Sequence, residues 1–318
     1  MIGASLYRSV VAVRNYCFDH EILRARRLSW PVISVGNISV GGSGKTPFVI
    51  MLGELLKQRA IEVDVLSRGY RRATTGVLRV DPDGTPEQFG DEPLLIARKL
   101  GSPVFVGEDR FDAGLAAEET MRVPQENRVH LLDDGFQHRQ LHRDFDIVLL
   151  NQDDLSDKLL PTGRLRESLS ALQRADVVVV NEDFPEDQLP RGEFQVWRIE
   201  RNVVVPELNR PVIAFCGIAR PQRFFSALRA HGMDLREEIV FRDHHRYTSD
   251  DVARLNAAQA RHPGSQLITT EKDAVKLGPH TTELKAIVVP LESRLLHANE
   301  AVDFMLKISE RRKNTVDE

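Results

Sequence analysis

The sequence is poor in cysteine and contains no long apolar run. Two cysteines occur among the 318 residues, Cys17 and Cys216, and they lie far apart in unrelated contexts. Such a pair offers neither a disulfide framework nor the clustered spacing of a metal site, and it suits a reducing compartment. The apolar stretches, such as residues 177–180, are far shorter than the roughly 18 residues needed to span a bilayer. We therefore expect a protein that does not cross a membrane.

A strong excess of charge of one sign is also missing. The formal net charge is −4, and a protein that binds nucleic acid along its surface usually carries a clear basic excess. We therefore expect no nucleic-acid partner, and no obligate protein partner is evident either. The length exceeds the roughly 100 to 200 residues of a typical domain, which predicts two domains.

Short apolar strands alternate with helical patterns over the first two thirds of the chain. This alternation is typical of a mostly parallel sheet with helices on both faces. The strands are expected at residues 32–35, 63–66, 104–106, 129–132, 147–150 and 177–180. The fold class predicted is doubly wound α/β.

A change of composition separates this region from the rest of the chain. Charged residues and four prolines break the rhythm, at Pro185, Pro190, Pro206 and Pro211. We place a domain boundary there. The prediction is a core domain over residues 1–205 and a smaller α/β domain over residues 206–318 that closes the active-site cleft.

Residues 35–47, V-G-N-I-S-V-G-G-S-G-K-T-P, join an apolar strand to a helix start through small residues. Glycines let backbone N–H groups approach a phosphate, Lys45 can reach the β- and γ-phosphates, and the Thr46 hydroxyl can bind Mg²⁺. The general pattern G-x-x-x-x-G-K-[ST] has a glycine where this chain has Ser39. A nucleoside triphosphate is the expected ligand, and a glycine-rich turn with an incidental lysine is the alternative.

A second polar site follows another apolar strand, at residues 129–138, V-H-L-L-D-D-G-F-Q-H. Strand ends in such sheets face the ligand crevice. Asp133 and Asp134 could therefore supply the hard oxygen ligands that Mg²⁺ prefers, opposite Thr46. The alternative is a polar turn without a ligand.

Two further clusters are weak by themselves. Asp91, in G-D-E-P, could serve only as the N-cap of the helix that follows. His244 and His245 are adjacent, so their side chains diverge and lack the i, i+4 spacing of a helical metal pair. We expect no zinc site there.

The N-terminus predicts an amphipathic helix, with apolar residues at three- and four-residue steps: Ile2, Leu6, Val10, Val13 and Cys17. Arginines outnumber acids through residue 30. A helix of this kind can lie on an anionic membrane surface. Packing against its own domain is the alternative.

Seven short blocks occur in a fixed order along the chain: V-G-N-I-S-V-G-G-S-G-K-T-P, S-R-G-Y, G-D-E-P, D-D-G-F-Q-H, L-P-T-G-R-L-R-E, D-H-H-R-Y and T-T-E-K-D-A-V-K. With them, the sequence resembles the tetraacyldisaccharide 4'-kinase (lipid A 4'-kinase) family from the N-terminal helix to residue 276. Ser39 belongs to the family pattern. The resemblance implies a P-loop NTPase-like doubly wound sheet with a second, smaller α/β domain.

The resemblance also implies the reaction and its participants. ATP with Mg²⁺ would phosphorylate the 4'-hydroxyl of a tetraacyldisaccharide 1-phosphate, an amphiphilic lipid, in lipid A biosynthesis. The enzyme would then be a peripheral protein on the cytoplasmic face of the bacterial inner membrane. Four arginines are candidates for contact with the 1-phosphate of the lipid: Arg68, Arg71, Arg72 and Arg110.

Site residues follow from matching positions in the same family. The nucleotide would be held by Gly41, Gly42, Ser43, Gly44, Lys45 and Thr46, with Arg166 and Glu167 closing over it. Magnesium would be held by Thr46, Asp133, Asp134 and Gln137. The catalytic group would comprise Lys45 with Asp91 as base and His244 as its partner. His244 is preferred to His245 because it directly follows Asp243.

Two other functions remain open at this point. A phosphate-loop GTPase or metallochaperone usually needs N-K-x-D at a strand end; residues 181–183 lack the lysine, and in residues 270–273 Lys272 comes one place late. A non-catalytic membrane adaptor that only binds nucleotide is the second alternative. Comparing ATP with GTP turnover separates the first alternative from a lipid kinase.

Overall fold

The computed structural model describes residues 2–121 and 127–314, and the side chains of residues 2–6 and 309–314 are not considered. Predictions for residues 1, 122–126 and 315–318, and for the Ile2 and Leu6 side chains, lie outside the described part. The chain begins with helix α1 (Ile2–Asp19).

The first unit continues from residue 32 to residue 203. Its elements are β1 (Val32–Asn37), α2 (Lys45–Gln58), β2 (Glu62–Ser67), β3 (Leu78–Arg79), α3 (Pro86–Phe89), α4 (Asp91–Leu100), β4 (Val104–Val106), α5 (Arg110–Thr120), β5 (Arg128–Asp133), β6 (Phe145–Leu149), β7 (Val177–Asn181) and β8 (Gln195–Val203). Short 3₁₀ helices lie at Gln152–Leu155, Leu169–Arg174 and Glu186–Gln188.

A smaller unit follows, and the chain then returns to the first. The remaining elements are β9 (Val212–Cys216), α6 (Pro221–Ala230), β10 (Leu235–Val240), α7 (Ser249–Arg261), β11 (Gln266–Thr270), α8 (Glu271–Leu277), α9 (His280–Glu283), β12 (Ile287–Val289), β13 (Leu291–Leu295) and α10 (Ala298–Asn314).

Within the described residues, the large sheet has nine strands in the order β13-β8-β7-β6-β1-β5-β2-β4-β3. Neighbouring strands are parallel except at the two edges, where β13 and β3 run antiparallel. Strands β1, β5 and β6 are buried along their whole length, as expected for parallel strands covered by helices on both faces. The predicted doubly wound α/β fold is confirmed. The second sheet is parallel, in the order β10-β9-β11-β12.

The central strands bring two predicted motifs to one edge of the sheet. Strand β1 lies between β5 and β6, and Val35 is paired with Asp133 in register. The loop after β1 and the acids after β5 therefore leave the sheet side by side. Helix α2 is anchored by an apolar face on the sheet that includes Phe48, Leu52 and Leu56, all fully buried.

The end of the chain differs from the sequence-based boundary. Residues 291–314 were expected in the smaller domain, but Leu291 pairs with Val203 and β13 extends the large sheet. Helix α10 then buries Val302 and Met305 in the same core as β1 and β6. The division near residue 205 otherwise stays a prediction. The chain thus crosses between the units twice, and Val204 N donates a hydrogen bond to Pro290 O (2.9 Å) where the crossings meet.

Candidate active site

The loop between β1 and α2 has the backbone of an anion-binding turn. Gly41 and Gly44 both have φ near +80°, and Gly44 immediately precedes the first residue of α2. A residue with a side chain rarely adopts this conformation. The loop is held from outside, because Val40 N donates to Arg164 O (2.8 Å). Backbone N–H groups at the start of α2 are thus presented at the crevice, the arrangement that favours phosphate binding.

Lys45 begins α2 and points back across this loop. Its Nζ atom donates to Asn37 Oδ1 (3.1 Å) and to Ser43 Oγ (3.3 Å), and it lies 3.2 Å from Asp134 Oδ1. Side chains from β1, the loop and the end of β5 therefore fix the ammonium at the base of the crevice.

Asp134 contacts both Lys45, at the end of the loop between β1 and α2, and Arg166, in the segment that follows β6. Arg166 Nη1 donates to both Asp134 oxygens (3.0 and 2.8 Å) and to Gln137 Oε1 (3.2 Å). Gln137 Nε2 donates to Glu167 Oε1 (3.1 Å). Burial alone would raise the pKa of Asp134, but the charges of Lys45 and Arg166 bring the pKa well below its usual range. This carboxylate is therefore ionised at neutral pH.

Asp133 has the opposite electrostatics. It is almost fully buried, Ser67 Oγ donates to its Oδ2 atom (3.0 Å), and its buried Oδ1 atom has no hydrogen-bond partner. Burial, together with the negative charges of Glu92 and Asp134, raises its pKa to about 7. A buried acceptor without a donor costs free energy unless a cation or a proton satisfies it.

Asp91 and His244 meet across the two units. His244 Nδ1 lies 3.0 Å from Asp91 Oδ2, and Asp91 is the first residue of α4 rather than its cap, since Gly90 occupies the N-cap position. Burial would raise the pKa of Asp91, but the hydrogen bond from His244 and the charge of Lys272 lower it well below the usual range. His245 lies elsewhere, 2.9 Å from Asp251.

These groups share one large cleft between the units. Its volume is about 1080 Å³, and its lining includes the whole of residues 41–46 together with Asp91, Asp133, Asp134, Gln137, Arg166 and His244. Glu167 is not in the lining; it is buried behind Gln137, where Arg174 holds it with two hydrogen bonds (2.9 and 3.0 Å). The sequence-predicted set is thus in one place, apart from Glu167, which contacts it through Gln137.

Three arginines in this cleft were not singled out from the sequence. Arg201 Nη2 donates to Ser43 O in the loop between β1 and α2 (2.8 Å), and Arg220 and Arg223 from the smaller unit both donate to Asp153 (2.8 and 3.0 Å). Burial and its two arginine neighbours lower the pKa of Arg201 to about 10. For Arg201, the signal available in the sequence was the alternation of apolar and polar residues over 195–203, which predicts a half-buried strand.

The arginines proposed from sequence for the lipid phosphate divide into two pairs. Arg68 and Arg71 line the cleft. Arg72 donates to Gly76 O, and the buried Arg110 donates to Glu108 O (2.7 Å). Only the first pair is therefore positioned to meet a ligand in the cleft.

Helix α1 contacts this site through polar side chains. Tyr7 Oη donates to Arg166 O (3.0 Å), Asn15 Nδ2 donates to Glu167 Oε2 (2.7 Å), and Arg14 donates to Gln137 O. Its apolar side chains at Val10 and Val13 are exposed by 59% and 63%. The helix therefore docks on the protein by its polar face and presents apolar residues to the outside.

The described part of the chain, residues 2–121 and 127–314, lacks two features. No helix there has the length and apolar character needed to pass through a bilayer. No group of three or more His, Cys, Asp and Glu side chains there is arranged to hold a metal ion.

Comparison with known proteins agrees with the geometry. Residues 1–310 match the family model for LpxK, described as tetraacyldisaccharide-1-P 4'-kinase. A tetraacyldisaccharide 4'-kinase of Koribacter versatilis is 47% identical over 98% of both chains, and one of Geobacter metallireducens is 39% identical over 87% of this chain and 88% of the relative.

A solved structure gives the same relationship in three dimensions. The crystal structure of LpxK from Aquifex aeolicus in complex with ATP superposes with a TM-score of 0.78 at 34% sequence identity, covering 96% of each chain. The matched family is one of kinases, and nothing in it supports the GTPase alternative. The chain belongs to the tetraacyldisaccharide 4'-kinase family.

Proposed function

We propose how the residues of this tetraacyldisaccharide 4'-kinase divide the work of moving the γ-phosphoryl group of ATP to the 4'-hydroxyl of its lipid substrate. The observation that carries the proposal is the convergence of a phosphate loop, an ionised acid and a second acid paired with histidine in one cleft. Phosphoryl transfer depends mainly on positioning and on neutralising charge, and these groups supply both.

The triphosphate is held by residues 41–46. The backbone N–H groups of this loop would bind the phosphate oxygens. Lys45, which now lies 3.2 Å from Asp134 Oδ1, would turn to the β- and γ-phosphates when the nucleotide binds. Arg166 bridges Asp134 and Gln137 and so covers the nucleotide side of the cleft. Glu167 acts from behind by holding Gln137.

Magnesium fits the acid pair. The Oδ1 atom of Asp133 is buried without a donor, which is the environment that a divalent cation satisfies. Asp133, Asp134, Gln137 and Thr46 would hold the ion, whose chemistry is to neutralise charge on the phosphates. Binding of the cation would also keep Asp133 ionised near neutral pH, where burial otherwise favours its protonated form.

Asp91 is the base for the acceptor hydroxyl. Its Oδ2 atom is engaged by His244 (3.0 Å), which leaves Oδ1 for the hydroxyl proton. A weak base suffices because the proton leaves late, as the bond to phosphorus forms. His244 orients Asp91 from the smaller unit, so the acceptor site is complete only with both units in contact.

The test is incubation with ATP, Mg²⁺ and tetraacyldisaccharide 1-phosphate, followed by a mass measurement of the lipid. We expect one added phosphate, with GTP a poor donor. Asp91→Asn should reduce kcat by about 100-fold or more with little change in the KM for ATP, because it removes the proton acceptor and not the nucleotide site. The exposed Asp83 provides the control, since Asp83→Asn leaves the cleft unchanged. Normal turnover by Asp91→Asn would refute the base assignment.

The substrate is an amphiphile, and α1 is suited to meet the surface that holds it. Val10, Val13 and Tyr16 of α1, and Ile22 and Leu23 just beyond it, are exposed apolar or aromatic side chains. We place this face in the anionic cytoplasmic surface of the bacterial inner membrane as a peripheral contact. Arginines beside an apolar face add attraction to anionic lipids.

Vesicle flotation tests this contact. A Val10→Asp/Val13→Asp double variant should lose most binding to anionic vesicles while keeping its thermal midpoint, because both side chains face outward. Leu115→Asp is the matched control, since Leu115 is also exposed but lies on α5. Equal flotation of all three proteins would favour a helix that serves only its own domain.

A further inference from the structure

The first turn of α8 carries a lysine, Lys272, beside Asp91 and His244. Lys272 Nζ lies 2.8 Å from Glu92 Oε1, 3.7 Å from Asp91 Oδ2 and 3.5 Å from His244 Nε2. The side chain is mostly buried and lines the active-site cleft. One ammonium group therefore touches both acids at the start of α4 and the histidine that pairs with the first of them.

This contact favours one arrangement of the His244 hydrogens over the other. An ammonium group donates and never accepts, so Lys272 meets a lone pair on His244 Nε2. The proton of the ring then lies on Nδ1, which donates to Asp91 Oδ2 (3.0 Å). A second proton on Nε2 would point at the ammonium. The arrangement selects a neutral ring with its hydrogen on Nδ1.

The charges around Asp91 come from each element packed on it. Helix α4 contributes Glu92, α8 contributes Lys272 and Lys276, and Lys45 of α2 acts on Glu92 from a greater distance. The segment before α7 contributes His244 and also Asp243, 3.9 Å from His244 Nε2. Tyr70 packs edge-on against His244 (5.4 Å between centroids), and the neighbouring Arg71 donates to Asp243 O (3.3 Å). Arg71 also reaches the His244 backbone oxygen (3.5 Å), but of the cations just named Lys272 is the one that contacts the side chains of the Asp91–His244 dyad.

We propose that Lys272 is a positioning residue for phosphoryl transfer: it fixes His244 as the Nδ1-protonated neutral tautomer and keeps Asp91 ionised, so that Asp91 is ready to accept a proton. The inference rests on the proposed base role of Asp91. In the step it serves, the 4'-oxygen bonds to the γ-phosphorus and its proton passes to Asp91. The bond from that phosphorus to the β–γ bridging oxygen breaks, and ADP leaves with the electron pair.

A matched control is available on the same pair of helices. Lys99 of α4 pairs with Glu271 of α8 (2.5 Å), one residue before Lys272. This ion pair also joins the two units, but it does not touch Asp91 or His244. Lys99→Met therefore removes an ion pair between α4 and α8 without altering Asp91 or His244. Lys272→Met removes an ion pair between the same two helices and also the contacts of Lys272 with Asp91 and His244.

The kinetic test is the pH profile of kcat for the full chain with ATP, Mg²⁺ and tetraacyldisaccharide 1-phosphate. In Lys272→Met the acid limb should move up by about one pH unit or more, since an opposite charge this close favours the ionised form. Turnover near pH 7, where Asp91 stays ionised, should fall about tenfold or more because the tautomer and orientation of His244 are no longer fixed, and the KM for ATP should change less than about twofold. Lys272→Arg should restore most of the profile, and Lys99→Met should leave it unchanged. An unshifted acid limb in Lys272→Met, or no rescue by arginine, would overturn the proposal.

A second measurement needs no variant. Nitrogen NMR of the histidine rings at neutral pH should show His244 neutral with its proton on Nδ1; a cationic ring, or a proton on Nε2, contradicts the inference. Failure here is distinguishable from failure of the base role. If Asp91→Asn turns over normally, the base assignment falls; if Asp91→Asn is inactive while Lys272→Met keeps the wild-type pH profile, only the role of Lys272 falls.

Discussion

Strand β5 carries a buried histidine, His130, whose deprotonation in mild alkali should lower the stability of the fold. His130 is fully buried, with Nδ1 2.8 Å from Asp64 Oδ1 and Nε2 3.4 Å from Glu118 Oε1, and it stacks on Trp30. Burial alone would lower the pKa of His130, but the charge and hydrogen bond of Asp64, followed by those of Glu118, raise it to about 9.

The magnitude follows from linkage between protonation and folding. The pKa of an unfolded histidine is about 6.5, and each unit of difference corresponds to about 1.4 kcal/mol. Because the folded pKa is the higher one, the stabilisation is complete below pH 6.5 and declines as the pH rises toward about 9. We expect the free energy of unfolding to fall by roughly 3 kcal/mol across this interval.

The assay is urea unfolding at a series of pH values. The control is the double variant Asp64→Asn/His130→Gln, which replaces the ion pair by neutral groups of similar size and removes no other group that titrates between pH 6.5 and 9. The wild-type free energy should decline with a slope of about −1.4 kcal/mol per pH unit that the double variant lacks. Parallel curves for the two proteins between pH 6.5 and 9 would refute the reasoning.

Three further changes test the site itself. Gly36→Ala would place a Cβ 2.5 Å from Phe136 Cβ and 2.8 Å from the Phe136 backbone N. The free energy of unfolding should fall by about 1–3 kcal/mol. The kcat should also fall, because Phe136 and the nearby Asp134 are displaced together. Arg201→Met removes the hydrogen bond to Ser43 O and should weaken ATP binding about tenfold, measured by calorimetry against an unchanged thermal midpoint. Asp134→Asn should lower kcat by about 100-fold or more in the lipid assay, and near-normal turnover would remove its assignment.

Much of the first unit could be predicted because its strands are buried on both faces. Short continuous apolar runs such as residues 177–180 indicate strands that are covered on both faces. The structure contains the six strands expected in the first two thirds of the chain. The loop at residues 35–47 and the pair Asp133 and Asp134 could also be singled out from the sequence as candidates, because each follows a strand end with residue types that have few purely structural uses.

The strands that were missed are short or amphipathic. Strand β8 alternates exposed residues with the buried Trp197 and Ile199, and its many charges resemble a linker. Strand β13 has one buried residue, Leu295, so its place beside β8 is set by tertiary pairing and not by its own sequence. That pairing also explains why the chain end lies outside the smaller unit.

The contacts between units were the least predictable part. His244 itself has a positive φ (57°), and its side chain reaches Asp91, which is 153 residues distant. No local pattern reports such a pairing, and Asp91 by itself fits an ordinary helix start. Family resemblance identified the two residues, whereas the contacts that Lys272, Arg201 and Arg220 make in the cleft were apparent only from their distances.

The double crossing between the units limits how the enzyme can open. The segment that enters the smaller unit and the segment that leaves it are hydrogen-bonded to each other at Val204 and Pro290. These two segments, here called the strap, must therefore bend together. Swinging the smaller unit on this strap would carry His244 and Lys272 away from Asp91 in one motion. With the proposed base role of Asp91, an open molecule that has bound ATP would lack the His244 and Lys272 contacts that prepare Asp91, and attack of water on the nucleotide would be disfavoured until the lipid binds.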